Sequence, residues 1–144
     1  MRSAVLVATA AVLLAPSAAQ AAPGEITDLL APGAAQSAPG ETTDLLGTYG
    51  FGRAAVIGAE GQAAGLWSAT RVRSGFAGDD LIITFVPRTE RYATEKQVYT
   101  AIYNQVSNPR AECEQVGADG VEHRVWMSFR CRTGVAPNYT LLVR

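Results

Sequence analysis

Histidine, lysine and cysteine are almost missing from this 144-residue chain, which carries one His, one Lys and two Cys. That set is too small for a closed Cys/His zinc site. His123 is the sole residue that a histidine acid/base mechanism could use. No Gly-x-Ser-x-Gly nucleophile element is present. The glycines between 47 and 52 lack the strand-turn-helix setting of a phosphate loop. Asp79-Asp80 is an adjacent acidic pair without the Asp-x-Asp-x-Asp-Gly spacing of a calcium loop. No metal and no cofactor is therefore expected. Neither charge sign dominates, with 12 basic and 13 acidic residues and a net charge of −1. This argues against a chain built as a whole to bind polyanions, and leaves room for a local basic patch.

Apolar residues make up 48% of the chain and charged residues 17%, the composition of one globular domain of ordinary size. Met1 and Arg2 precede an apolar run from Ala4 to Ala15, which is short for a membrane span. Pro16 and Ser17 break the run, and Ala19-Gln20-Ala21 fits a small-x-small cleavage site. Residues 1–21 are read as a signal peptide and the remainder as secreted or otherwise extracytoplasmic, without a stable membrane anchor. Eleven of the basic residues are Arg, a coding bias that suits a GC-rich bacterial source.

Residues 22–48 read as a flexible arm. Within it Ala22-Pro23-Gly24-Glu25-Ile26-Thr27-Asp28-Leu29-Leu30 recurs at residues 38–46, with Thr42 replacing Ile26 as the one change. The unit is too short to bury a core. It is either a bivalent docking motif carried by its Leu pair or a duplication in an unconstrained linker.

Residues 49–144 are expected to form a single α+β domain, with a mainly antiparallel sheet of about five to six strands and one helix on one face. Strands are predicted over 53–59, 66–73, 81–86, 111–116, 121–132 and 139–144. The helix is placed at 94–107 from a Thr94/Gln97 capping box and from Val98, Ile102 and Val106 recurring every four residues. The order is β-β-β-α-β-β-β, and a single crossover helix implies antiparallel pairing. Val98, Ile102, Val125, Met127 and Phe129 are the expected core.

Cys113 and Cys131 in an exported chain imply one disulfide, worth roughly 3 kcal/mol by loop closure. Asp119-Gly120 is also a two-residue hairpin signal. A tight turn there would set Cys131 about 17 Å from Cys113 at strand rise, and a disulfide needs Cα atoms within about 7 Å. The disulfide is preferred and the hairpin must give way.

Along the expected long strand, Arg124, Trp126, Arg130 and Arg132 share a face. Trp67, with Arg71 and Arg73, shares a face of an earlier strand. Arg and Trp are enriched at binding hot spots, so an aromatic-basic surface anchored by Trp126 is expected. Its partner would be an extracellular protein, or else an anionic glycan or nucleic acid. The leading functional expectation is a non-enzymatic binding protein, with inhibition of an extracellular enzyme as the form such binding would take. The rival is a small secreted hydrolase of nuclease-like chemistry, using His123 with a nearby carboxylate, such as Glu112, Glu114 or Glu122, and an arginine. Asn138-Tyr139-Thr140 matches a glycosylation sequon and is expected to stay unmodified in a bacterial protein.

Overall fold

A computed structural model describes residues 39–135 and 137–144. The expected signal peptide and the first copy of the duplicated motif lie outside the described residues. The second copy does not belong to an arm. It forms the first half of strand β1, Thr42–Tyr49, and Leu46 is buried. The folded region therefore starts some seven residues before the expected boundary.

The order of elements is β1, α1 (Arg53–Ala63), β2 (Ala69–Ser74), β3 (Asp79–Phe85), β4 (Lys96–Ala101), α2 (Pro109–Glu122), β5 (Phe129–Thr133) and β6 (Tyr139–Val143). The α+β class and the antiparallel pairing agree with expectation. The single sheet and the single helix do not. Two three-stranded sheets form, ordered β1-β3-β2 and β4-β6-β5. In each, the central strand pairs antiparallel with both neighbours. The outer strands of a sheet thus run parallel to one another, joined by a crossover helix.

The chain is a tandem repeat of one β-α-β-β unit. Gly58-Ala59-Glu60-Gly61 followed by Leu66-Trp67 returns 59 residues later as Gly117-Ala118-Asp119-Gly120 followed by Val125-Trp126. Each helix buries positions i, i+3, i+4 and i+7. These are Ala54, Ile57, Gly58 and Gly61 in α1, and Cys113, Val116, Gly117 and Gly120 in α2. The spacing is helical, but two of the four positions are glycine, so a search for apolar stripes passes over it. The strands expected at Arg53–Ala59 and Ala111–Val116 are therefore the first turns of α1 and α2. Asp119-Gly120 lies inside α2, not in a hairpin.

The glycines make room for the tryptophans. A Cβ on Gly61 would fall 1.9 Å from the Trp67 ring, and one on Gly120 would fall 2.0 Å from the Trp126 ring. The indole N–H of Trp67 donates to the Gly58 carbonyl at 2.9 Å, and that of Trp126 donates to the Gly117 carbonyl at 2.9 Å. The two rings then meet each other at 6.5 Å between centroids. Trp126 is fully buried and Trp67 nearly so.

Both helices end in the same way. Leu66 N–H returns to the Gly61 carbonyl at 3.0 Å, and Val125 N–H returns to the Gly120 carbonyl at 2.8 Å. Such a closure needs a left-handed residue. Gly65 supplies it with φ 68°, and Arg124 supplies it with φ 60°.

Strand β4 replaces the expected helix at 94–107. A register shift between Gln97 and Tyr99 buries Val98 and Tyr99 side by side. That breaks the alternation expected of a strand. The same shift occurs in β1 between Leu45 and Gly47. Asn108-Pro109, read as a helix end, is a helix start. Asn108 accepts from Ala111 N–H at 3.1 Å, and Pro109 occupies the first turn. The expected strand at 121–132 splits into the end of α2, a turn and β5. Of the expected core, Val98 and Val125 are buried, Ile102 and Phe129 are half-buried, and Met127 is exposed. Cys113 of α2 and Cys131 of β5 form the expected disulfide, with Cα atoms 6.0 Å apart.

Two stability measurements follow from this packing. Trp126→Ala should cost about 3–5 kcal/mol in denaturant unfolding, because the ring fills the centre of the core. Arg124→Gly should instead stabilise the protein by about 1 kcal/mol, since a non-glycine residue carries a penalty of that order in the left-handed region. An Arg124→Gly protein no more stable than the parent would contradict the equivalence with Gly65.

Candidate loop-end interface

The expected aromatic-basic surface is not present, because both of its tryptophans are interior. Arg124 is exposed on the turn after α2. Arg130 and Arg132 are exposed on β5. Arg130 is held by Glu95 through two bonds of 2.7 Å. On β2, Arg73 is likewise held by Asp80 at 2.7 Å. The charges of Arg130 and Arg73 are therefore largely neutralised locally.

His123 caps the C-terminus of α2, and its Nδ1 lies 3.2 Å from Asp44 of β1. The nearby carboxylate is thus Asp44, and not one of the three glutamates named as examples. Glu112 binds Arg53 and Glu114 binds Arg110. Among the described residues no group of three His, Cys, Asp or Glu side chains could hold a metal ion, and no helix is long and apolar enough to cross a membrane.

The two repeats interlock, and this places their loops. Helix α1 touches β4 of the second repeat, and α2 touches β1 of the first. Glu60 of α1 accepts from Thr100 N–H of β4 at 3.2 Å, while Gln115 of α2 donates to the Thr48 carbonyl of β1 at 3.1 Å. Asp119 accepts from the Tyr49 hydroxyl at 2.8 Å. Burial, and then the charge and hydrogen bond of Asp119, push the Tyr49 phenol far above its ordinary range, and burial raises the Asp119 carboxyl. Arg53 and Glu112, again 59 residues apart, form a shielded ion pair. Arg53 donates to Glu112 from Nη2 at 2.8 Å and from Nε at 3.1 Å.

That pair lies in a groove of about 380 Å³, lined by Tyr49 and Phe51 from the loop after β1 and by Val106 and Asn108 from the loop after β4. The two β-to-α loops are thus neighbours. Each is tied to the hairpin tip of its own repeat. Gly52 N–H donates to Asp79 at 2.6 Å, and Tyr103 N–H donates to Asn138 at 2.9 Å. Tyr49 pairs with Asp79 across β1 and β3, and Ala101 pairs with Tyr139 across β4 and β6. All four loops consequently sit at one end of the domain.

This end carries large apolar side chains in the open. Phe76 at the first hairpin tip is 105% exposed and Val135 at the second is 97% exposed. Phe51 is 68% exposed and Tyr103 is 55% exposed. Phe76 and Val135 are equivalent positions in Arg73-Ser74-Gly75-Phe76-Ala77 and Arg132-Thr133-Gly134-Val135-Ala136. Phe51 and Tyr103 correspond through the loops that follow β1 and β4. Sequence reasoning missed all four. The signal was available in the internal repeat, which sets these residues in register between turn-forming neighbours.

Comparison with protein-family models, curated proteins and solved structures finds no match to this chain.

The Asp79 tether yields a pH prediction. The Gly52 amide, and then the Ser74 hydroxyl, hold the Asp79 carboxyl below the usual aspartate range. Its contribution to stability is therefore complete above the unfolded-state value of about 4 and is lost as pH falls through the lower folded-state value. The urea midpoint of the parent protein, minus that of Asp79→Asn, should shrink across that window. A difference that stays constant down to the folded-state value would remove the charged tether. Asn138 is the neutral version of this tether in the second repeat.

Proposed function

We propose that the protein is an exported, non-enzymatic binding protein that grips an extracellular protein partner, an enzyme to be inhibited, through its loop end. The observation that carries this reading is the pair of fully exposed apolar residues, Phe76 and Val135, at equivalent hairpin tips. Burying such side chains against a partner is favourable, and leaving them in water contributes nothing to the fold. The tips are held by paired strands, so little ordering entropy would be lost on binding. The disulfide from α2 to β5 adds rigidity next to the second tip and suits an oxidising compartment.

Inhibition would work by insertion. The Gly75 N–H donates to the Gly78 carbonyl at 2.8 Å, which closes a tight turn around Phe76 and Ala77. A protease cleft takes an extended backbone, and this turn does not offer one. The phenyl ring would instead enter an apolar socket, with Val135 and the aromatic pair Phe51 and Tyr103 completing the contact. The hydrolase alternative is weaker, because the carboxylate beside His123, Asp44, is exposed, and Glu112 and Glu114 are engaged by arginines. A glycan or nucleic-acid partner would rely on Arg71, Arg130 and Arg132 and not on the tips.

The test is capture from culture supernatant by the purified protein, followed by affinity measurement on the captured partner. Phe76→Asp should leave the melting temperature unchanged and weaken binding by about thirtyfold or more, the effect of losing an anchor worth at least ~2 kcal/mol. Full affinity in a Phe76→Asp, Val135→Asp double variant would discard the loop end as the site. Loss on Arg130→Ala alone would favour the anionic ligand.

A further inference from the structure

The segment that joins the two repeats, between β3 and β4, gathers cations that the rest of the fold leaves without acids. Arg53, Arg73, Arg110 and Arg130 each hold a carboxylate at 2.7 or 2.8 Å. Arg88, Lys96 and Arg124 form no such ion pair among the described residues. Yet the three are neighbours. Arg88 Cζ lies 3.7 Å from the centre of the Tyr92 ring, and Lys96 Nζ lies 4.9 Å from the same centre. Arg88 N–H donates to the Arg124 carbonyl at 2.8 Å, and the Tyr92 hydroxyl donates to the Val125 carbonyl at 3.4 Å. The ring attracts each cation, but it does not cancel their repulsion of one another.

Arg88 and Lys96 are also half-buried, where a charge without a partner costs more than on an open surface. Arg124 stands at φ 60°, where the first repeat has Gly65. That backbone favours glycine, so the arginine side chain is kept against the preference of the fold. Strain of this kind collects at ligand sites. Arg88 and Lys96 line a groove of about 410 Å³ together with Trp67, Phe85 and Val86. Glu41 is the one acid among the lining residues, against two cations. The groove thus joins an excess of positive charge to an apolar wall.

We propose that this groove binds the phosphate or sulfate group of a small organic ester. Arg88 presents its two terminal nitrogens to two oxygens of the group, the planar fork that suits such anions. Lys96 adds a point charge, and Arg124 adds a third cation beside Arg88. The apolar wall takes the body of the ester, and the groove has the volume for a ligand of that size. The site follows the end of β3 that is remote from the hairpin tip, so it is independent of the loop-end binding reading.

Lys96 is the sole lysine of the chain, so isotope-labelled lysine gives one side-chain NMR signal that reports on the groove. Phenyl phosphate, phenyl sulfate, inorganic phosphate and inorganic sulfate are titrated into the full chain at constant ionic strength. A saturable shift is expected with a phenyl ester, about tenfold tighter than with the bare ion because the ring is buried. The tighter ester identifies the group. Arg88→Gln should weaken binding by about tenfold, the effect of losing hydrogen bonds from a charged donor. Arg124→Gly should weaken it severalfold while melting no lower than the parent. Arg132→Gln, at a cation that does not line the groove, should leave it unchanged. No saturable shift with any probe would overturn the site. So would equal weakening by Arg132→Gln, which marks general attraction to a basic surface. Esters no tighter than bare ions would overturn the assignment to an ester. If Arg88→Gln fails to fold, Arg124→Gly decides alone, and parent-like affinity in it would overturn the site.

Discussion

Each tryptophan lies in the space that helical glycines leave open, and the rest of the domain is arranged around that contact. A glycine inside a helix is unfavourable by roughly 0.5–1 kcal/mol relative to alanine. Gly58, Gly61, Gly117 and Gly120 all sit in helix interiors. The return is that an indole lies directly on helical backbone, with its N–H satisfied by a carbonyl nine residues earlier, at Gly58 or Gly117. A buried tryptophan removes a large apolar area from water. The chain leaving each helix must turn back at once to deliver the ring, which sets the left-handed residue at 65 and at 124. Helix end, tryptophan and following strand are one unit, used twice.

The two units are not independent. Arg53 meets Glu112, and Trp67 meets Trp126, so equivalent residues face one another as they do across a twofold axis. The equivalence is broken where it must be. Two arginines at the Arg53 position would repel, whereas Arg with Glu forms a bidentate pair. The disulfide is a second asymmetry. Ala54 and Val72 occupy the places of Cys113 and Cys131, so only the second repeat has its helix fastened covalently to its outer strand. Because α1 packs on β4 and α2 on β1, neither repeat can bury its helix alone.

Local signals in the sequence revealed those parts of the fold that follow local rules. The continuous apolar run at 81–86 is the central strand β3, the closing strand at 139–144 is β6, and the cysteines are bonded. Elements shaped by long-range contact were misread. Glycines that serve as tryptophan slots look like helix breakers. A bulge that buries Val98 beside Tyr99 looks like a helical stripe. Asn108-Pro109 is a legitimate boundary signal whose direction depends on which side the helix lies. The candidate site failed for the same reason. Trp126 belongs to a hot-spot residue type, but its fate was set by Gly117 and Gly120, and only a comparison of the chain with itself at a spacing of 59 exposes that dependence.

The repeat also explains why an interaction surface would fall at the loop end and nowhere else so readily. The inward sheet faces are consumed by the helices. The edges of β1 and β4 meet side chains from the opposite repeat at Thr48 and Thr100. Arginines on β2 and β5 are partly spent on Asp80 and Glu95. The four loops remain, and interlocking brings them to one end without their having to pack on each other. Their backbones are fixed by Asp79 and Asn138, so their side chains are free of structural duty. A tip residue can then be changed at little cost to the fold, which is how one repeat carries phenylalanine where the other carries valine. A symmetric scaffold with unlike prongs presents a directional surface, and under the proposed reading a partner that took Phe76 into an apolar socket would dock in one orientation only.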